Sequence, residues 1–410
     1  GIQEGLSDNA VLAVLQDSLG FMWFGTREGL NRYDGYEFTV YSAELDGPDS
    51  LSDSTVTALA ETSSGTLWVG TQDGGLNRFD SKTRTFTQIN LKNDPESITN
   101  TQVNALQVDS LGRLWIATPE GLRRLDPENG SVSRFQSDPG DEGSLSDDDI
   151  LSLFEDEAGR LWIGTANGLN LYENNNSFTR FLTDVASDVS SITAISSDGE
   201  GGLWLGSEGG LLHFDPERES TRVFRHNPNA PDYLSSNRIS ALFRDSSGRL
   251  WIGYEDQGID LVTEYTGNEI SVESFEHQSF DPQSLSHNAV RAISEDEGGL
   301  LWFGTHGGGV NKANPATRAF GYYLSDPDSA NSPAGGNVTA LAFDASRRSL
   351  WIGTADNGLD QMNLITGEFK HYQHDPEDIN SLDSDQVTLL HIGPQGNLLD
   401  RKSTRLNSSH

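Results

Sequence analysis

Chemistry in this chain falls to carboxylates, guanidiniums, imidazoles and hydroxyls, because its 410 residues include no cysteine. Disulfides, thiolate zinc sites and cysteine nucleophiles are thereby excluded. The 9 histidines are scattered, with no ligand spacing such as H-x-x-x-H. No G-x-S-x-G elbow, phosphate loop or dinucleotide fingerprint is present. Acidic residues number 62, so paired carboxylates say nothing about acid–base catalysis. The residue types point instead to recognition. Arg27, Glu28, Glu255 and His306 offer planar hydrogen-bonding groups, while Tyr233 and Tyr254 offer aromatic faces. That combination suits a sugar or another small polar molecule. The competing reading makes each of them a solvated turn residue. They lie far apart in sequence, so the elements that carry them decide between the two.

All 8 tryptophans fall at one position of one recurring phrase: Trp23, Trp68, Trp115, Trp162, Trp204, Trp251, Trp302 and Trp351. The phrase returns as "GTLWVGTQDGGLNRFD" (Gly65–Asp80), "GRLWIGTANGLNLYE" (Gly159–Glu173) and "SLWIGTADNGLDQMN" (Ser349–Asn363). Within a unit the hydrophobic period is two, with no sustained helical period. One unit predicts strands over Val56–Thr62, Thr66–Thr71, Gly75–Asp80 and Arg84–Asn90, with turn chemistry at Gly65, Asp73-Gly74-Gly75 and Asp94-Pro95. Four short antiparallel strands, repeated, predict an all-β chain of β-propeller blades. In "LWVGT" Trp68 and Gly70 share one face, so the glycine is expected to leave room for the indole or for a neighbouring blade. Burying one indole removes roughly 150–250 Å² from water, about 4–6 kcal/mol gross before entropy. The repeated phrase is therefore read as packing, and its indoles as the structural core of the repeat.

Between the seventh and eighth units the chain reads "SDPDSANSPAGG" (Ser325–Gly336), without the Ser-Leu-Ser entry of "SLSDSTV" (Ser50–Val56) or "SLSHNAV" (Ser284–Val290). This is read as a boundary. Residues 1–326 are expected to form a first seven-bladed propeller, its outer latch strand missing at the N-terminus. Residues 327–399 then hold the first blade and part of the next blade of a second propeller, truncated. One eight-bladed ring of all the intact units is the alternative. Residues 400–410, "DRKSTRLNSSH", break the repeat mid-unit, and their back-translation resembles a sequencing-library adapter. They are set apart as an artefact, with the natural chain expected to continue past Leu399. No apolar run approaches the ~18 residues of a membrane helix. The net charge of −35 argues against nucleic acid or an anionic membrane surface as partner.

The stretch "EGLSDNAVLAVLQDSLGFMWFGTREGLNRYDGYEFTVY" (Glu4–Tyr41) resembles the opening blade of the two-component regulator propeller family. The phrases at Asp156–Leu169 and Asp245–Ile259 are similar to its D-x-x-G-x-L-W-I-G-T-x-x-G-L repeat, and the likeness covers essentially Gly1 to Leu399. Local departures are Ala117 for Gly, Ser207 for Thr and Tyr254 for Thr. The resemblance implies the periplasmic, extracytoplasmic sensor region of an inner-membrane receptor. In that family the propellers precede a β-sandwich, a membrane helix and a histidine kinase or diguanylate cyclase, none of which is present in this stretch. It further implies a small-molecule or oligosaccharide ligand, since characterised gut relatives sense glycan breakdown products. A homodimer of the full receptor is implied too, with membrane contact only through a downstream segment. The fragment itself is expected not to be an enzyme. Competing readings are a secreted scaffold or interaction propeller, a His-and-metal propeller lyase, and a glycosidase. The last is suggested by "SSDGEGGLW" (Ser196–Trp204), loosely like the Asp-box turn of sialidase propellers.

Strand order puts the turn between second and third strands on the same face as the connection into each first strand. That face, around the central channel, is the expected ligand seat by fold analogy. Its turns carry Arg27-Glu28, Gln72-Asp73, Pro119-Glu120, Ala166-Asn167, Glu208, Glu255-Asp256, His306 and Asp356-Asn357. No catalytic residue, metal ligand or cofactor is assigned. Calcium is the one cation weighed, for the Asp-rich loops Ser137–Ile150 and His374–Asp385, where Asp and Ser equally serve Asx turns.

Overall fold

The computed structural model describes residues 1–315 apart from 3–4, 44–46, 48, 90–100, 128, 174, 184, 231–232, 279–280 and 282–283. Within 316–410 it describes 332, 334, 338–344, 347, 349–363, 368–378, 381–387, 389–392 and 398–401. The chain divides into two compact units, Gly1–Ala316 and Thr317–His410. The boundary expected after residue 326 lies outside the described residues.

The first unit is built of antiparallel meanders, each in sequence order. Blade 2 shows the rule: Val56–Glu61, Leu67–Thr71, Leu76–Asp80 and Thr85–Gln88, close to the spans that period-two alternation predicts. Its first strand alternates buried and half-buried positions, whereas its second is buried throughout because both faces meet other blades. The first strands contact one another in cyclic order, and Val11–Gln16 of blade 1 packs on Val290–Glu295 of blade 7. Seven blades therefore close the ring. Blade 7 has three strands among the described residues, ending at Gly309–Ala313. The latch strand expected to complete it is the one the sequence reading placed upstream of Gly1. Among the described residues the chain is all-β, with one helical turn at Ser187–Ser190 in the connection into blade 5.

The tryptophans explain why blades of one pattern stack. Each indole of the ring lies within 6 % of full burial, and the rings face the next blade. Trp23 meets Phe79 of blade 2 at 5.2 Å, Trp115 meets Tyr172 of blade 4 at 4.7 Å, and Trp251 meets Phe303 of blade 7 at 5.8 Å. Trp302 of blade 7 meets Phe24 of blade 1 at 5.7 Å, so the same contact crosses the seam. The glycine two residues on makes room for the neighbouring blade. A Cβ on Gly70 would stand 2.5 Å from Val103 of blade 3, and one on Gly304 would stand 2.8 Å from Val11 of blade 1.

Each indole N–H also needs an acceptor. In five blades it donates to an aspartate six residues earlier, at 2.7–2.9 Å: Asp17, Asp109, Asp156, Asp245 and Asp296. The other oxygen of that carboxylate caps the turn, as Asp156 does for the N–H groups of Ala158 and Arg160. Burial alone would raise the Asp156 carboxyl. The Trp162 indole, the Arg160 N–H and the Arg160 guanidinium outweigh it and hold the group below the usual carboxylate range. Blade 2 has Thr62 instead, and the Trp68 indole N–H is buried without a partner.

The second unit contains a four-stranded sheet, from Val338–Asp344 to Phe369–Tyr372, and a strand pair, Leu389–Ile392 with Leu398–Arg401. Trp351 is half-buried there, 5.6 Å from Tyr372. The last strand runs on through Asp400 and Arg401, opposite Leu390 and Leu389. Backbone pairing makes little demand on side-chain identity, which is why the strand continues past the break in the repeat.

Candidate ligand-binding site at the channel mouth

The face carrying the variable turns is held by a repeated frame. At five of the seven turns a threonine hydroxyl, and in blade 5 the Ser207 hydroxyl, donates to the carbonyl of the glycine that follows, as Thr26 does to Gly29 at 2.9 Å and Thr71 to Gly75 at 3.0 Å. A buried asparagine on the third strand then ties the turn to the serine that enters the blade: Asn31 to Ser7, Asn77 to Ser52, Asn170 to Ser146. Turn backbones also bond to the connections beside them, Gln72 N to Thr55 O and His306 N to Ala289 O among them. The frame fixes where the turn tips stand and leaves their side chains free to differ.

On this frame the ring brings Arg27, His306 and Glu255 into one polar cluster. Arg27 Nη2 lies 2.5 Å from His306 Nε2. A guanidinium only donates, so His306 Nε2 accepts and the imidazole is neutral. Burial lowers the His306 pKa first, and the positive charges of Arg27 and Arg291 lower it further. Glu255 Oε1 accepts from Arg291 at 3.1 Å, and its other oxygen pairs with Arg238. Glu28 is exposed beside Arg27, its backbone N–H held by Thr26 Oγ1.

Of the two tyrosines expected to supply an aromatic face, Tyr254 is not at the surface. Tyr254 is fully buried, and its hydroxyl donates to Asp260 Oδ2 at 2.6 Å. Blade 6 has exchanged the Thr–Asn pair of blades 1, 2, 4 and 7 for Tyr254 and Asp260, while Ser235 still binds the third-strand side chain. Burial, then the Asp260 charge and hydrogen bond, push the Tyr254 pKa well above its ordinary value. Tyr254 is thus a frame residue and no ligand platform. Tyr233 is half-buried against the same apolar cluster.

Arg291, Arg238 and His287 escaped the sequence reading. Arg291 had a signal: it follows Val290 where the other blades have Leu12, Thr57, Asn104, Leu151, Thr193 and Ser240. Two cavities among the described residues lie elsewhere. One, about 780 Å³, is lined by Asp17, Glu61, Ser246 and Glu295 at first-to-second-strand turns. The other, about 850 Å³, lies between blades 1 and 7 against Tyr33, Phe38, Trp302 and Lys312. In the Asp-rich loop of blade 4, Asp138 and Asp141 accept from the N–H groups of Gly140 and Gly143, as Asx turns require. No cluster of three or more metal-ligating side chains occurs among the described residues.

Six segments, residues 5–28, 50–73, 97–120, 144–167, 233–256 and 284–307, match the family model described as two component regulator propeller. The chain belongs to that family. Each matched segment of this regulator propeller runs from the blade entry to the second-to-third-strand turn, which is the repeated frame itself. The extracellular domain of the hybrid two component system BT3049 from B. thetaiotaomicron is similar at 26% identity and TM-score 0.67, over 98% of this chain and 51% of that one. The extracellular domain of BT4673, also from B. thetaiotaomicron, has the same fold at 22% identity and TM-score 0.63, over 96% of this chain and 50% of that one. Over 38 residues the chain is 47% identical to Histidine kinase P4 of Formosa agariphila, which is 9% of this chain and 3% of that protein. The propeller chain spans about half the length of the solved structures it matches. No helix among the described residues is long and apolar enough to cross a membrane.

Proposed function

We propose that this chain is the extracytoplasmic ligand-sensing region of a transmembrane signalling receptor, with the ligand seated at the mouth shared by blades 6, 7 and 1. The observation that carries the reading is the likeness, over 98% of the chain, to the extracellular domain of a hybrid two component system. A repeated frame topped by differing turn residues suits recognition. The cluster suits binding better than catalysis: His306 Nε2 is taken up by Arg27, and Glu255 by two guanidiniums, so neither is placed to move a proton. The ligand is a small molecule or an oligosaccharide. The parent protein carries a histidine kinase or diguanylate cyclase and works as a homodimer. Binding changes the arrangement of the paired receptors by favouring one of two states, which requires different affinities for them.

The test is to read the gene beyond Leu399 and assay the complete receptor. A membrane helix followed by a kinase or cyclase, with ligand-dependent output, supports the reading. A stop codon soon after the propellers, with no output module, overturns it and favours a secreted scaffold.

A further inference from the structure

The charges at the mouth are unevenly distributed. On the second-to-third-strand turns and first-strand starts of blades 2 to 5, the described ionisable side chains are acidic, among them Asp53, Asp73, Glu120, Asp149 and Glu208. The bases at equivalent places belong to blades 6, 7 and 1: Arg238, His287, Arg291, His306 and Arg27. The same places there also carry Asp8, Glu28, Glu255 and Asp256, and Arg134 and Arg225 reach the turns of blades 3 and 5 at Glu120 O and Gly209 O. The seam is thus an arc of mixed charge, set apart by guanidiniums on the turn and the first strand themselves.

We propose that this arc seats an anionic group of the ligand, a carboxylate or sulfate, between Arg27 and Arg291. The inference rests on reading the mouth as the ligand seat and adds the ligand's charge class. Arg27 is exposed, and its guanidinium bonds to a neutral imidazole rather than to any carboxylate among the described residues. Most of its five N–H donors remain for a ligand. Arg291 stands where Thr57, Thr193 and Ser240 donate hydroxyls to the carbonyls of Val103, Ile239 and Val290 in the following blade. Asn104 makes the like bond to Ile150 O, and Leu12 and Leu151 make none, so Arg291 is the one charged side chain at this place among the seven blades. Glu255 and Asp256 offset Arg238 and Arg291, which leaves Arg27 as the guanidinium of the arc bonded to no carboxylate among the described residues. His306 sits beside both Arg27 and Arg291, whose charges oppose a third positive charge there. A bound anion accepts bidentate bonds from the guanidiniums, the strongest geometry open to them.

The experiment is a titration of the full chain with sodium glucuronate, glucose and sodium sulfate at matched ionic strength, read on the His306 ring signals by NMR. Glucuronate is expected to shift them saturably and glucose not. Arg27→Gln and Arg291→Gln should each weaken glucuronate roughly tenfold or more, as loss of a charged hydrogen bond implies, with unchanged near-UV circular dichroism. A response to glucuronate alone assigns the anion to a sugar acid, and an equal response to sulfate assigns it to any small oxyanion. The proposal is overturned if glucose acts as well as glucuronate, if neither anion shifts His306, or if both variants bind as the parent does. Those failures leave the receptor reading to its own test on the downstream gene.

Discussion

The two ends of the blades make opposite use of one repeat. At the first-to-second-strand turns, the residues that recur are those that bond: the aspartate under five of the indoles and, between blades, a glutamate that grips a serine. Glu61 takes Ser18, Glu155 takes Ser110 and Glu295 takes Ser246. Between blades 4 and 5 the pair is exchanged, Ser197 donating to Glu157, and across the seam Gln16 accepts from Glu297 N. At the other end the frame recurs but the tips do not, so Arg27, Gln72, Pro119, Ala166 and His306 occupy like positions. The repetition holds the ring together at one end, and the departures from it mark recognition at the other.

That contrast can be broken most forcefully at the indole. Trp162→Ala, at a fully buried ring with Phe214 as neighbour, should cost about 3–5 kcal/mol in denaturant unfolding. Asp156→Ala leaves the same indole and the Arg160 guanidinium without their acceptor, for about 1.5–3 kcal/mol. Neither should alter anion binding wherever the ring stays folded. Tyr254→Phe removes a donor from buried Asp260 and should cost about 1–3 kcal/mol while glucuronate binding is unchanged. Weakened binding in that variant, with stability intact, would return Tyr254 to the ligand seat. Thr62→Asp runs the other way: it supplies the acceptor that Trp68 lacks and should stabilise by about 1 kcal/mol.

The smallest effects are those of pH. Asp156 and Asp245 titrate below the ordinary value of 3.8 in the folded chain. Between the folded and ordinary values the unfolded state binds more protons, so their contribution is complete above 3.8 and is lost as pH falls toward the folded values. His306 is lowered from 6.5, and again the unfolded state takes the proton first. Its contribution is complete above 6.5 and declines as pH falls through the interval below. The slope of stability against pH there should flatten in His306→Gln, measured by urea unfolding in that window.

What could be read from sequence follows from what the physics repeats. Strand period, turn glycines and eight indoles at one position state the fold several times over. The Trp–Asp bond was present in the D-x-x-G-x-L-W phrase, and its six-residue spacing is intelligible once the indole N–H is seen to need an acceptor. Tyr254 looked free because it left the Thr position. The compensating change to Asp260 sits on the next strand and shows only when the units are compared side by side. The Arg27–His306 contact was beyond the sequence, since those residues become neighbours only when blade 7 meets blade 1.

Closure of the ring by seven blades is what assembles the mouth, and it is measured most directly at the seam. Gly304→Ala pushes a Cβ to 2.8 Å from Val11 of blade 1, as Gly70→Ala pushes one to 2.5 Å from Val103 inside the ring. Equilibrium unfolding of the two variants should show similar losses, about 1–3 kcal/mol each. A clear loss in Gly70→Ala with none in Gly304→Ala would mean that blades 7 and 1 do not meet, and the site built across them would have no basis.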